Sequence, residues 1–190
     1  MTKLLIRFFF VLTLFIPIMA YAVSLPQWDI VSKDSSIIFT ATQNGSPVAG
    51  QFKNFTGDIN FDPALLDSSH IQITVDMTSL STSYKEVETT LKTPEWFNTK
   101  IFPKAIFKAN QFTKTGNNTY QAKGTLTIRD KTVPITLQFT LDEYTQTKAH
   151  ATGGTVLKRT AFGIGTGEWS KTDEVKDDVK VDFTLSAVKK

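Results

Sequence analysis

Cysteine is absent from this 190-residue chain, and histidine nearly so, His70 and His150 being the only two. Without thiols there is no disulfide, no thiolate metal site and no cysteine for a bacterial lipoprotein anchor, so a closed apolar core has to supply the stability. Two histidines with no cysteine make a transition-metal centre a poor expectation. Excess charge of one sign is also lacking: 21 Lys and Arg stand against 18 Asp and Glu, a formal +3 that includes Lys3 and Arg7. Nucleic acid is therefore not an expected partner. There is no G-x-S-x-G, and His70 and His150 fall at a strand start and on a polar strand face, away from any nucleophile. The glycines of "RTAFGIGTGEW" (159–169) lack dinucleotide-fingerprint spacing and a following helix, and are expected to let a strand bend at a barrel mouth. No enzyme, cofactor or metal is expected.

What is present begins with a leader. Lys3 and Arg7 precede an apolar run from Phe8 to Met19, and Ala20-Tyr21-Ala22 offers small residues at a cleavage site. The run is short for a bilayer span, which needs roughly 20 residues, and Pro17 interrupts it. Residues 1–22 are read as a cleaved secretory signal and 23–190 as one exported domain.

From Trp28 onward the chain alternates with period two. Ile37, Phe39 and Ala41 share one face of a first strand; Phe52, Phe55, Ile59 and Phe61 follow on a second. Phe52 is out of step with Phe55, which predicts a bulge near Lys53-Asn54. "HIQITVDM" (70–77), Ala105 to Ala109, the hairpin 120–141 turning at Arg129-Asp130-Lys131, 148–160 and 179–187 complete eight strands. Long antiparallel strands joined neighbour to neighbour predict an all-β, eight-stranded up-and-down barrel of lipocalin-like form. One short helix interrupts strands three and four. Ser83 and Glu86 have capping-box spacing, and Pro94 stops the helix. "TDEVKDDVK" (172–180) reads as a solvated hairpin. "EWFNTKIFPKAIF" (95–107) reads as an aromatic joint that packs at one barrel mouth and seals or gates it.

Taken together, "GQFKNFTGDINFD" (50–62), "PEWFNTKIFPKAIF" (94–107), "GTLTIRDKTVPITL" (124–137), "RTAFG" (159–163) and "TDEVKDDVKVDFTL" (172–185) resemble the YceI-like family, over roughly Trp28 to Val188. The resemblance implies a periplasmic, non-enzymatic barrel holding a polyisoprenoid, an isoprenoid quinone or a fatty amide. It also brings a link, in some members, to stress response and to membrane cytochromes resembling b561; pairing of two barrels is a further option. The chain is histidine-poor for that family. Asp34-Ser35-Ser36 and Tyr84 stand where family histidines are common, and "TQNGSPV" has none, so no histidine role carries over.

Facing predicts the cavity lining: Phe39, Phe52, Phe55, Ile59 and Phe61 from the first two strands, then Ile73 and Val75. Trp96, Phe97, Phe102 and Phe107 follow from the aromatic joint and its strand, and Leu126, Ile128 and Phe139 from the hairpin. Leu157, Phe162 and Phe183 complete the set, with Arg159 and Tyr84 as head-group contacts. The competing expectation is an interaction module for a membrane redox or envelope-stress partner. It predicts a side-chain-filled barrel with Phe162 and Trp169 exposed in one patch.

Overall fold

The computed structural model describes residues 24–190, so the leader expected at 1–22 lies outside the described residues. Strand β1 is Gln27–Ile30, β2 Ser36–Gln43, β3 Ser46–Phe52, β4 Phe55–Asn60, β5 His70–Asp76 and β6 Leu80–Thr82. Helix α1, Lys85–Leu91, precedes β7 (Lys104–Lys114), β8 (Thr119–Ile128), β9 (Lys131–Tyr144), β10 (Lys148–Lys158) and β11 (Asp178–Lys189).

All ladders are antiparallel. The order β1-β4-β5-β7-β8-β9-β10-β11 closes on itself through β1–β11, giving the eight-stranded barrel that the alternation predicts. β2, β3 and β6 extend the wall beyond β11. Three staves are therefore broken. β1 and β2 lie in succession along β11, with Asp29 opposite Val188 and Phe39 opposite Val181. β3 and β4 are interrupted at Lys53-Asn54, where the mismatch of Phe52 and Phe55 placed a bulge. β5 and β6 are separated by a turn at Met77–Ser79, where Asp76 accepts a hydrogen bond from Thr78 N. Each break lets inward residues keep facing inward when the wall changes direction.

The β2–β3 hairpin turns on Asn44 and Gly45, both at positive φ (49° and 79°), the backbone of a type I′ turn. Gly124 is needed for another reason. A Cβ there would run into the Lys108 carbonyl, where the β7–β8 register slips between Ala109 and Gln111.

Helix α1 corrects one expectation. Its N-cap is Tyr84 rather than Ser83, and no side chain caps it. With the start at Lys85, Glu86 falls too early to reach back in a capping box; Glu88 is held instead by Lys85 at 2.7 Å and Lys92 at 3.0 Å. Segment 172–180 is also not a solvated hairpin. Val175 is buried and bridges Gln43, while Lys176 N donates to Thr42 O, so the segment folds over the β2–β3 hairpin. The three glycines Gly163, Gly165 and Gly167 do not bend a strand. They take positive φ in the irregular connection after β10.

Candidate functional site

The barrel has a floor end, at the hairpins β7–β8 and β9–β10, and a lid end, at α1, residues 94–103 and residues 159–177. The floor is an aromatic pack. Phe61 meets Phe112, Tyr120 and Phe139 at centroid distances of 5.3, 6.1 and 6.0 Å, and Tyr120 stacks on Phe139. Trp28 lies 5.4 Å from Tyr144 and donates its Nε1–H to Phe61 O at 3.0 Å, pinning β1 across the floor. Burial, aided by the charge of Asp62, pushes the Tyr144 phenol up to about 12.

Above the floor lies an apolar chamber of about 200 Å³. Phe55, Ile59, Phe61, Ile73, Phe107, Phe139 and Phe183 line it, joined by Trp28, Phe112 and Leu185. A second chamber of about 140 Å³ sits under the lid, lined by Phe39, Phe52, Trp96, Phe97, Ile128 and Phe162, with Arg159 its sole charged side chain. Ile37, Val75, Leu126, Leu157 and Val181 line both and form a waist. The run of β11 from Val179 to Ala187 borders both chambers. At roughly 3.3 Å per residue it is about 26 Å long, or about 20 Å along the axis for a tilt of ~40°.

The lid is held from within by Arg159. Its side chain is 2 % exposed, and all its donor nitrogens are spent on backbone carbonyls: Nε on Lys176, Nη1 on Ile164 and Gly165, Nη2 on Lys171 and Val175, at 2.7–3.2 Å. Burial pushes its pKa below the ordinary guanidinium value, opposed by the charge of Asp177. Asp177 would be raised by burial, but the Thr160 N–H and hydroxyl at 3.0 and 2.8 Å hold it low. Arg129, in the β8–β9 turn at φ 57°, donates Nη1 to both Trp96 O and Gly163 O, at 2.9 and 2.6 Å. Gly165 N and Thr166 N donate to Glu95 O at 2.8 and 2.9 Å. The two lid segments are thus fastened to each other and to the wall.

One length of wall is unpaired. The β9–β10 ladder ends at Gln138 opposite Gly154, and beyond it only the Thr155 hydroxyl reaches across, to Thr136 O at 3.0 Å. Ile135, Leu137, Thr155 and Leu157, from the two sides of this seam, all line the larger chamber.

Three sequence expectations require correction. Phe102 lines neither chamber; it lies outside the lid beneath Arg129, whose guanidinium carbon is 5.8 Å from its ring centre. Tyr84 is 69 % exposed at the N-terminus of α1 and has no place in either chamber. Arg159 borders the upper chamber but has no donor to spare for a head group. The interaction-module expectation of exposed Phe162 also fails, since Phe162 is 1 % exposed. The other predicted residues border one chamber or both. Trp28, Phe112, Tyr120 and Tyr144 were missed as floor residues, though the same alternation carried through 112–120 would have found Phe112 and Tyr120. Among the described residues no group of three His, Cys, Asp or Glu could hold a metal ion, and no helix is long and apolar enough to cross a membrane.

Comparison with known proteins gives a consistent result. The YceI-like domain matches residues 28–187. A UPF0312 protein of Shewanella oneidensis is 28% identical over 170 residues, 85% of this chain and 86% of the relative. One from Vibrio cholerae is 28% identical over 142 residues, 72% and 75% of the two chains. Among solved structures, Burkholderia cenocepacia BcnA superposes with a TM-score of 0.79 at 31% identity, covering 83% of this chain and 99% of its own. A polyisoprenoid binding domain from Saccharophagus degradans, implicated in plant cell wall breakdown, shares the fold at TM-score 0.69 and 13% identity, covering 87% and 99%.

Proposed function

The chain belongs to the YceI-like family, and on that premise we propose that it binds one long-chain apolar lipid, with its tail threaded through the waist between the two chambers. The candidates are a polyisoprenoid, an isoprenoid quinone or a fatty amide. The observation that carries this reading is the lining itself: two end-to-end chambers walled by apolar side chains, with Thr155, Thr184 and Arg159 the only polar residues on their walls. Each 100 Å² of tail removed from water contributes about 2.5 kcal/mol, so tight binding needs few polar contacts. An axial length of about 20 Å exceeds the roughly 15 Å that half of a ~30 Å hydrocarbon core gives an acyl chain. A longer tail therefore suits the barrel better than an ordinary fatty acid. The polyisoprenoid-binding domain of S. degradans supports the reading by likeness of fold.

Binding without chemistry is the role that fits such a lining: neither chamber offers a nucleophile with a base beside it. Export through the leader at 1–22 would make this a periplasmic carrier or store. A membrane cytochrome of the b561 kind, or a second barrel, would then be a natural recipient. Native mass spectrometry of protein purified from its own host tests the core of the reading. An apolar adduct that disappears on organic extraction is expected. An adduct-free spectrum, together with failure to take up added polyprenols, refutes it. N-terminal sequencing of the same material reads whether the chain begins after Ala22.

A further inference from the structure

Trp96 is 7 % exposed and lines the upper chamber, yet its Nε1–H is buried without a hydrogen-bond partner. Trp28, equally buried, behaves in the ordinary way and donates Nε1–H to a carbonyl. Buried donors without acceptors are rare because the donor loses its water and gains nothing in return. The other side chains on the chamber wall are apolar apart from Arg159, and that guanidinium is consumed by five backbone carbonyls. A water bound to Trp96 would want two to four polar partners, and the side chains of this wall supply only the one. An apolar molecule with a single terminal acceptor needs no more than one.

We infer that Trp96 Nε1 donates to the one polar atom of the cargo, an uncharged carbonyl oxygen such as a ketone, quinone or amide, seated under the lid. This rests on the lipid-binding reading above and narrows it. A phosphate or diphosphate head is excluded by the same observation. Its charge and several oxygens would be buried against one indole N–H, with no guanidinium free to meet them. The head group is therefore specified by what the chamber does not offer as much as by what it does.

The test uses the lipid-stripped exported protein and three probes with one geranylgeranyl tail: a terminal ketone, the hydrocarbon without the oxygen, and the monophosphate. Isothermal titration should show the ketone binding about tenfold or more tighter than the hydrocarbon. The monophosphate should bind no tighter than the hydrocarbon. Trp96→Phe should remove the preference for the ketone while leaving hydrocarbon affinity within about twofold. In ¹⁵N-indole NMR the Trp96 resonance, assigned by its loss in Trp96→Phe, should move on adding ketone and stay near its place with hydrocarbon. Because that shift is read in the unmutated protein, it decides the matter even if the variant folds poorly. Equal affinity for ketone and hydrocarbon, tightest binding of the monophosphate, or a Trp96 resonance indifferent to the ketone overturns the inference while the lipid-binding reading stands. Failure of all three probes to bind removes that reading, and the inference with it.

Discussion

Replacing Arg159 by Met keeps a side chain of similar length and removes every donor that organises the 159–177 lid. Five carbonyls lose charge-assisted bonds. At roughly 1.5–3 kcal/mol each, these would sum to the entire stability of an average domain, about 5–15 kcal/mol. Two effects reduce that figure. The folded state no longer carries a guanidinium whose burial is unfavourable, as its lowered pKa reports, and this returns several kcal/mol. The carbonyls can also regain water by lifting the loop, at the cost of Phe162, Ile164 and Val175 leaving the upper core. The expected net loss is about 3–5 kcal/mol, the range for removing one side of a buried charged network. For a domain of this size it corresponds to a fall in Tm of about 6–20 °C. Arg159→Lys should lose much of the same, because an ammonium has three donors and no planar fork. Hydrogen exchange locates the damage: amides of 163–176 should exchange faster, while those of β11 near Ala187 keep their protection. A Tm within about 2 °C of the parent, or loss of protection spread evenly over the barrel, would refute the hub assignment.

Three further outcomes are expected. Leu126→Trp at the waist should fold with a cost of about 1–3 kcal/mol and lower affinity for long prenyl tails at least tenfold while sparing short ones; titration with a tail-length series checks it. Continuing the β9–β10 register past Gln138 and Gly154 places Thr136 opposite Val156. Because the chain has no cysteine of its own, a T136C/V156C disulfide can close the seam cleanly. If the tail enters sideways, oxidation should slow uptake tenfold or more in stopped-flow fluorescence and reduction should restore it, whereas a T140C/T152C bridge in the paired ladder should leave the rate alone. Tyr144, with its folded pKa raised to about 12, favours the neutral phenol. Its contribution to stability is complete below the unfolded value near 10 and is lost as pH rises from there through about 12. An ultraviolet phenolate titration of the parent against Tyr144→Phe should show one tyrosine ionising late.

The eight-stranded barrel was legible because its strands alternate cleanly. In 70–77 every second residue is aliphatic, and the parity error between Phe52 and Phe55 located the broken stave to the residue. The lining was legible for the same reason, since parity on a strand decides which way a side chain faces. Phe102 stands in a loop where no such parity operates, so its aromatic character alone could not place it. Arg159 was misread because its partners are backbone carbonyls, which leave no mark in composition or spacing. Segment 172–180 hid its single anchor, Val175, among charges. The strand β1 is four residues long, too short for alternation to register, although Trp28 is what closes the floor.

That closure has a consequence for how the molecule comes into being. Trp28 is paired with Lys189, so the strand made first waits for the strand made last. Neighbouring strands such as β7, β8 and β9 can meet as they emerge, but the ring stays an open, curling sheet until synthesis is all but finished. Its edges and its greasy concave face are exposed throughout that interval, when the risk of aggregation is greatest. Losing only a few C-terminal residues would therefore do more than shorten an edge; it would remove the keystone, and leave a chain of nearly full length that never becomes a container.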